Sequence, residues 1–287
     1  MRRFIWALLI IAEVVPGSAG AGTKTGWRWT TPWSPLAPGI ELGIAVAPEW
    51  CKSGSPAIAV VRALPANSMF DVHHFHDEHL VEGLTISDWR IRTGAVLAVN
   101  AGQYDENLKH LGHLISDGRE LGIGRHATFK GIFVAETGRD GRTRARILDL
   151  LTDKFNATAA KYACVLQSFM LFDHTGRKRV QDSGKLAART ILAQDYTGRI
   201  VIATSEGEYT LWDMASLLRG SDLNLKIAMS LDGGHAAQLS ANGSDIHYDS
   251  SAARYLGRGD ADPTLVYSPR LPAVLTITPL RQKKDGL

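Results

Sequence analysis

The sequence predicts an α+β fold, a single domain of mixed β-sheets with few, short helices. Three observations lead there. Short apolar or alternating runs recur along the whole chain, and runs of that kind are strands. Only two stretches show helical spacing. No Gly/Ser/Pro-rich linker and no repeat of about 20–50 residues divides the chain. With 287 residues, 45% of them apolar, there is ample material for one buried core. Lys and Arg number 32 against 29 Asp and Glu, and this surplus of +3 is too small to argue for nucleic acid as a partner.

Residues 1–21 read as an export signal. Arg2 and Arg3 form a basic start, Phe4 to Ala12 an apolar run, and Pro16 to Ala21 a small-residue cleavage region. The run falls short of the roughly 20 residues a spanning helix needs, so no membrane span is expected after signal removal. The expected location is the periplasm or the extracellular space. In that setting Cys51 and Cys164 suggest one disulfide, with two buried thiols as the alternative.

Residues 22–69 form a lead-in and the first strands. Gly26 to Pro38, with Trp27, Trp29 and Trp33 among Thr, Ser and Pro, reads as irregular chain packed by its tryptophans. Ile40–Val46 and Ala57–Leu64 read as strands. Residues 70–280 form the main domain, opening with a strand at Phe70–Phe75. Thr85–Thr93 fits a short helix with Ser87 or Asp88 as N-cap. Strands follow at Ala95–Val99, Gly131–Glu136, Arg144–Leu150, Tyr162–Phe172, Thr190–Asp195 and Arg199–Ser205. Leu211–Leu218 is the second helix, Lys226–Leu231 and Ala273–Ile277 are further strands, and residues 281–287 form a polar tail.

Most standard signatures are absent: no phosphate-binding P-loop, no Gly-x-Ser-x-Gly elbow, no His-Glu-x-x-His helix, no Cys-x-x-Cys pair. Gly122-Ile-Gly124 lacks the third glycine of a dinucleotide fingerprint. His73-His74-Phe75-His76-Asp77-Glu78-His79 places His74 and His76 on one side of a strand, with Glu78 able to join them. That arrangement suits zinc, and the alternative is a polar strand end on the surface.

Two strand ends are more informative. Val99-Asn100-Ala101-Gly102-Gln103-Tyr104 and Ser230-Leu231-Asp232-Gly233-Gly234-His235 both set polar groups directly after apolar strands. Rigid strands present reactive side chains at such ends, and glycines let a ligand approach the backbone. Two more blocks complete a pattern: Leu114-Ile115-Ser116-Asp117-Gly118, and Ala188-Arg189-Thr190 opening a strand. These four blocks, in this order over residues 70–280, resemble the phosphodiester glycosidase family. One departure stands out. The family continues Asp-Gly-Gly-Gly-Ser, whereas this chain has Asp-Gly-Gly-His235-Ala236-Ala237-Gln238.

The resemblance implies hydrolysis of a sugar-1-phosphodiester or related glycan at the glycosidic bond, with no cofactor required. It implies Asp232 as the carboxylate at the reacting carbon, Asp117 as a second carboxylate, and His235 as an acid–base or phosphate contact. It implies Asn100, Gly102, Arg189, Thr190, Gly233, Gly234 and Gln238 as substrate-binding residues, with Arg189 suited to phosphate oxygens. Two other readings remain open: a non-catalytic carbohydrate-binding protein on the same scaffold, and a metal-dependent hydrolase built on His73 to His79.

Overall fold

Eight of the first ten strands among the described residues line up in one sheet, and the reason is local. Strands β1 (Arg28–Ala37), β2 (Ile40–Val46) and β3 (Ala57–Ala63) follow one another through short connections, as do β8 (Gly131–Thr137) and β9 (Thr143–Asp149). With β6 (Leu114–Ser116), β7 (Arg119–Glu120), β10 (Cys164–Phe172), β11 (Thr190–Asp195), β12 (Ile200–Ser205) and β13 (Leu225–Ser230) they make an eleven-stranded sheet. Its main order is β1-β2-β3-β12-β11-β13-β10-β6-β7, with β8 on β10 and β9 on β8. A second sheet orders β15 (His247–Asp249), β14 (Leu239–Asn242), β5 (Leu97–Asn100), β16 (Ala273–Pro279) and β4 (Ser68–His74). The computed structural model describes residues 26–138, 143–157, 162–250 and 269–280. The export signal and the polar tail lie outside these residues.

Every named strand pair is antiparallel, where the sequence suggests mixed sheets. Hairpin turns suffice for such pairs, whereas parallel pairs need long crossovers. That explains how so many strands leave room for only two α-helices among the described residues. The fold is therefore mostly β.

Strand alternation divides the core into layers. On β12, Ile200 and Ile202 face the space between the sheets while Val201 and Ala203 face outward. The same alternation separates Leu97 and Val99 from Ala98 on β5, and Leu275 and Ile277 from Val274 on β16. Between the sheets lies the largest apolar cluster. Helix α2 (Leu211–Gly220) covers the outer face of the large sheet with Met214, Leu217 and Leu218. Helix α1 (Ile86–Thr93) covers the small sheet with Ile86 and Trp89. Each such buried aliphatic side chain contributes roughly 1.5–3 kcal/mol. Among the described residues no helix is long and apolar enough to cross a membrane.

Three local expectations change. The N-cap of α1 is Thr85, whose hydroxyl accepts from the Asp88 backbone N–H; Ser87 and Asp88 lie inside the first turn. Thr210 caps α2 in the same way through Asp213 N–H. The Trp-rich lead-in is a strand, not irregular chain. Pro32 and Pro35 are tolerated because β1 is an edge strand with three register shifts. Trp29 packs against Trp33 with tilted rings at 4.6 Å, and Trp27 meets Trp29 edge-on at 5.4 Å.

The expected disulfide is absent, because Cys51 and Cys164 are both free. Cys51 sits beside the end of β12 on the α2 face, its thiol directed at the Ser53 carbonyl, 3.2 Å away. Cys164 is buried between the sheets on β10, and β11 and β13 stand between β12 and β10. Three strand spacings amount to about 14 Å, well beyond the roughly 7 Å that a disulfide allows between Cα atoms.

Candidate active site

Asn100, at the end of β5, joins the two sheets. Its side chain is buried, and all of its polar atoms are engaged. Nδ2 donates to the Asp232 carbonyl at 2.9 Å, and Oδ1 accepts from the Thr190 hydroxyl at 2.7 Å and from Gln238 N–H at 3.4 Å. Thr190 opens β11, and Asp232 follows β13. One amide thus ties the ends of three strands. The next residues continue the join, with Asp232 N–H donating to Gly102 O at 3.0 Å.

That frame holds the backbone of Asp232 and so positions its carboxylate. Oδ1 accepts from Gly233 N–H at 2.9 Å. The second oxygen has no hydrogen bond among the described residues. Burial raises the carboxyl above its ordinary value, while the Gly233 N–H and the charge of Lys185 oppose the rise. A carboxyl of this kind ionises reluctantly and is a candidate for acid–base or nucleophilic work.

Beneath it lie two more titratable groups. The Tyr104 phenol is pushed well up, first by burial and then by the charge of Asp232. His110 is buried at the far side of Gly102 with its pKa lowered to about 4, chiefly by burial. The Tyr104 hydroxyl and His110 Nε2 are both buried without a hydrogen-bond partner among the described residues. The two rings meet edge-on at 5.2 Å. Gly102 is required here twice over: its φ is +73°, and a Cβ would stand 1.7 Å from His110 Nε2.

A cleft of about 260 Å³ opens over these groups, with Asn100, Gly102, Tyr104, Asp232, His235 and Arg270 among the residues lining it. Arg270 reaches it from just before β16, held by the Gly83 carbonyl at 3.2 Å and by Glu82 at 3.5 Å.

The family profile for phosphodiester glycosidases matches residues 93–260, which span both strand ends and the whole Asn100–Asp232 frame. This chain belongs to the phosphodiester glycosidase family. Its fold is similar to that of the zebrafish N-acetylglucosamine-1-phosphodiester alpha-N-acetylglucosaminidase catalytic domain, auto-inhibited by its pro-peptide. The TM-score is 0.58 at 16% identity, over 88% of this chain and 87% of that one. It is also similar to a hypothetical protein from Synechocystis, with a TM-score of 0.54 at 13% identity over 86% and 64% of the two chains. A third similar structure is a putative exported protein from Burkholderia pseudomallei, with a TM-score of 0.50 at 12% identity over 82% and 77%. No curated protein sequence matches.

In this member of the family, then, the structure gathers Asn100, Gly102, Asp232 and His235 at one cleft. Thr190 and Gln238 stand behind it as supports. The Gln238 amide donates to the carbonyls of His235 and Pro269, so it pins the turn carrying His235 to the chain entering β16. Gly233 leaves room for the Ala188 carbonyl, 2.8 Å from where its Cβ would be, and Gly234 donates to that same carbonyl.

Arg189 is buried, and it donates from Nε to Tyr209 O at 2.8 Å and from Nη2 to Lys185 O. It therefore knits the loop before β11 to the chain before α2, with Nη1 close to Gly233. Asp117 is not part of the cleft lining. It is exposed in the β6–β7 turn at φ +46°, and its charge acts on Asp71 of β4.

The His-rich stretch is the end of β4 and the turn after it, with His76 and His79 exposed, as the surface alternative expects, but two details differ. His74 is buried, not on the surface, and Glu78 pairs with His73 at 2.8 Å instead of joining His74 and His76. No group of three His, Cys, Asp or Glu side chains among the described residues is arranged to hold a metal ion.

Tyr104 and Asp105 fall in the strand-end block that the sequence marks as informative, whereas Leu108, His110 and Arg270 carry no such signal. These three reach the site through loop closure, with Tyr104 and His110 meeting in an isolated bridge and Leu271 pairing with Leu84 beside Arg270.

Proposed function

We propose that this protein is an exported hydrolase that cleaves a sugar-1-phosphodiester or related glycan at the glycosidic bond. The observation that carries the reading is Asp232, reluctant to ionise, held rigidly by two sheets, and presenting one free oxygen in the matched domain's cleft. Water adds to the anomeric carbon, the bond from that carbon to the phosphate oxygen breaks, and a phosphate monoester leaves. The transition state resembles an oxocarbenium ion, which a carboxylate stabilises. The departing phosphate is already a stable anion, so it needs charge stabilisation more than a strong acid. Arg270 faces the cleft and suits that task. Arg189 has given two of its nitrogens to backbone carbonyls and acts as a support for the Asp232 turn. His235, at the cleft wall, is placed to contact phosphate in place of the family's glycine.

Export rests on the N-terminal signal features, and similarity to a putative exported protein agrees with it. N-terminal sequencing of the secreted chain is expected to begin at Gly22.

Mass spectrometry of the mature protein with a panel of sugar-1-phosphodiesters tests the reaction. Native protein is expected to release free sugar and a phosphate monoester. Asp232→Asn is expected to lose about 10³-fold or more in turnover, as removal of a reacting group does. Arg270→Ala is expected to slow the reaction less. Undiminished turnover in Asp232→Asn would remove that residue from the mechanism. Saturable glycan binding with no turnover would favour a carbohydrate-binding protein on this scaffold.

A further inference from the structure

Resting on that reading of the cleft, we propose that the aglycone beyond the phosphate is an apolar, alkyl-like chain and that Leu108 selects it. Several polar groups around the cleft are held by the protein itself or kept from solvent. Asn100 Oδ1 accepts from Thr190 and Gln238, and its Nδ2 donates to the Asp232 carbonyl. The Tyr104 hydroxyl is buried away from solvent. One Asp105 oxygen accepts from both Asn107 and Lys109 N–H. Much of the remaining lining is apolar: Leu108, Ala236, Leu271 and Pro272.

Leu108 carries the argument. Its side chain is 47% exposed and its φ is +60°. A left-handed backbone is uncommon for leucine and far easier for asparagine or glycine. The loop nevertheless holds it there, through Leu108 N–H to Asp105 O at 3.1 Å and Asp105 N–H to Lys109 O at 3.0 Å. An apolar side chain held in a strained conformation at the rim of a cleft is a feature that folding alone does not favour. A ligand that covers it gives the arrangement a use.

Size agrees with this. At about 260 Å³ the cleft is smaller than the roughly 300–1,000 Å³ typical of sites that enclose a drug-sized ligand. A sugar ring and its phosphate fill it, and the aglycone has to leave across the rim.

The test is a calorimetric titration with n-octyl phosphate and methyl phosphate, neither of which needs turnover to be read. Native protein is expected to bind octyl phosphate at least about tenfold more tightly, since each fully buried methylene is worth roughly fourfold. Leu108→Asn keeps a residue type suited to the left-handed backbone and is expected to cut that preference below about threefold. Ile91→Ser, on the exposed side of α1, is expected to retain it. Equal affinities in the native protein, or a preference that survives Leu108→Asn, would overturn the proposal. Chain-length preference without hydrolysis of any sugar phosphodiester would support the proposal and count against the hydrolase reading alone.

Discussion

Two places in this chain run from an apolar strand into Asp-Gly, and the fold treats them in opposite ways. Leu114-Ile115-Ser116-Asp117-Gly118 ends as an exposed hairpin turn. There Asp117 is itself left-handed, and a Cβ on Gly118 would meet nothing within 4 Å. Ser230-Leu231-Asp232-Gly233 ends inside a junction of two sheets, where a Cβ on Gly233 would stand 2.8 Å from the Ala188 carbonyl. Both glycines are needed, one for its backbone angle and the other for its lack of a side chain. The difference shows that Asp-Gly after a strand specifies a sharp corner, and that the chain packed around the corner decides whether it can do chemistry.

The contrast is sharpest at glycine. Gly102→Ala, on the site side, combines a left-handed φ with a Cβ 1.7 Å from His110 Nε2. It is expected to cost about 3 kcal/mol or more, because ring and backbone must both move. Gly118→Ala has open space and meets the backbone penalty alone, about 1 kcal/mol. Urea midpoints of the two variants measure the gap. Equal losses would mean that the packing around Gly102 is looser than described.

A second difference is the presence of buried imidazoles on the site side only. His110 and His74 both have their pKa lowered to about 4 by burial, against an ordinary 6.5. The unfolded chain therefore takes up these protons first. Stability is full above pH 6.5 and falls as pH drops from there toward 4. For His110 the loss approaches about 3 kcal/mol as an upper bound, and the less enclosed His74 adds a smaller share. His110→Leu is expected to flatten the acid limb of a Tm-against-pH curve. An unchanged limb in that variant would show that His110 is hydrated or paired when folded.

Much of this architecture was legible in the sequence, and the gaps have physical reasons. Thr190–Asp195 coincides with β11, and the other predicted strands fall within about three residues of their ends, because runs of Ile, Val, Leu and Ala report burial on a pleated surface. Strand β1 was hidden by Pro32 and Pro35, which are compatible with an edge but read as breakers. The division into two sheets was hidden because it depends on distant pairing: Val72 of β4 meets Leu275 of β16. The site was half legible. Asn100 and Asp232 stand at strand ends, where local sequence shows them. Arg270 and Leu108 arrive through loop closure, which no spacing reports. Arg189 was legible as important, yet its guanidinium binds the carbonyls of Tyr209 and Lys185, partners that only the fold supplies.

The smallest expected effect separates the two aspartates themselves. Burial holds the Asp232 carboxyl above its ordinary pKa, so ionising it costs the folded state something it does not cost the unfolded one. That cost builds as pH rises from the unfolded value through the folded one and is complete above it. Asp232→Asn keeps an oxygen to accept from Gly233 N–H and removes the charge. Its Tm near neutral pH should therefore rise, by about 2–4 °C for each kcal/mol recovered. The gain should vanish in acid, where the native carboxyl is protonated in both states. Asp117→Asn changes an exposed carboxylate at a φ that asparagine tolerates, and it is expected to move stability by no more than about 0.5 kcal/mol. A variant that gains stability while losing turnover marks a charge kept for chemistry at the fold's expense. If both variants leave Tm unchanged at every pH, Asp232 ionises as freely as a surface carboxylate, and the distinction between the two corners rests on shape alone.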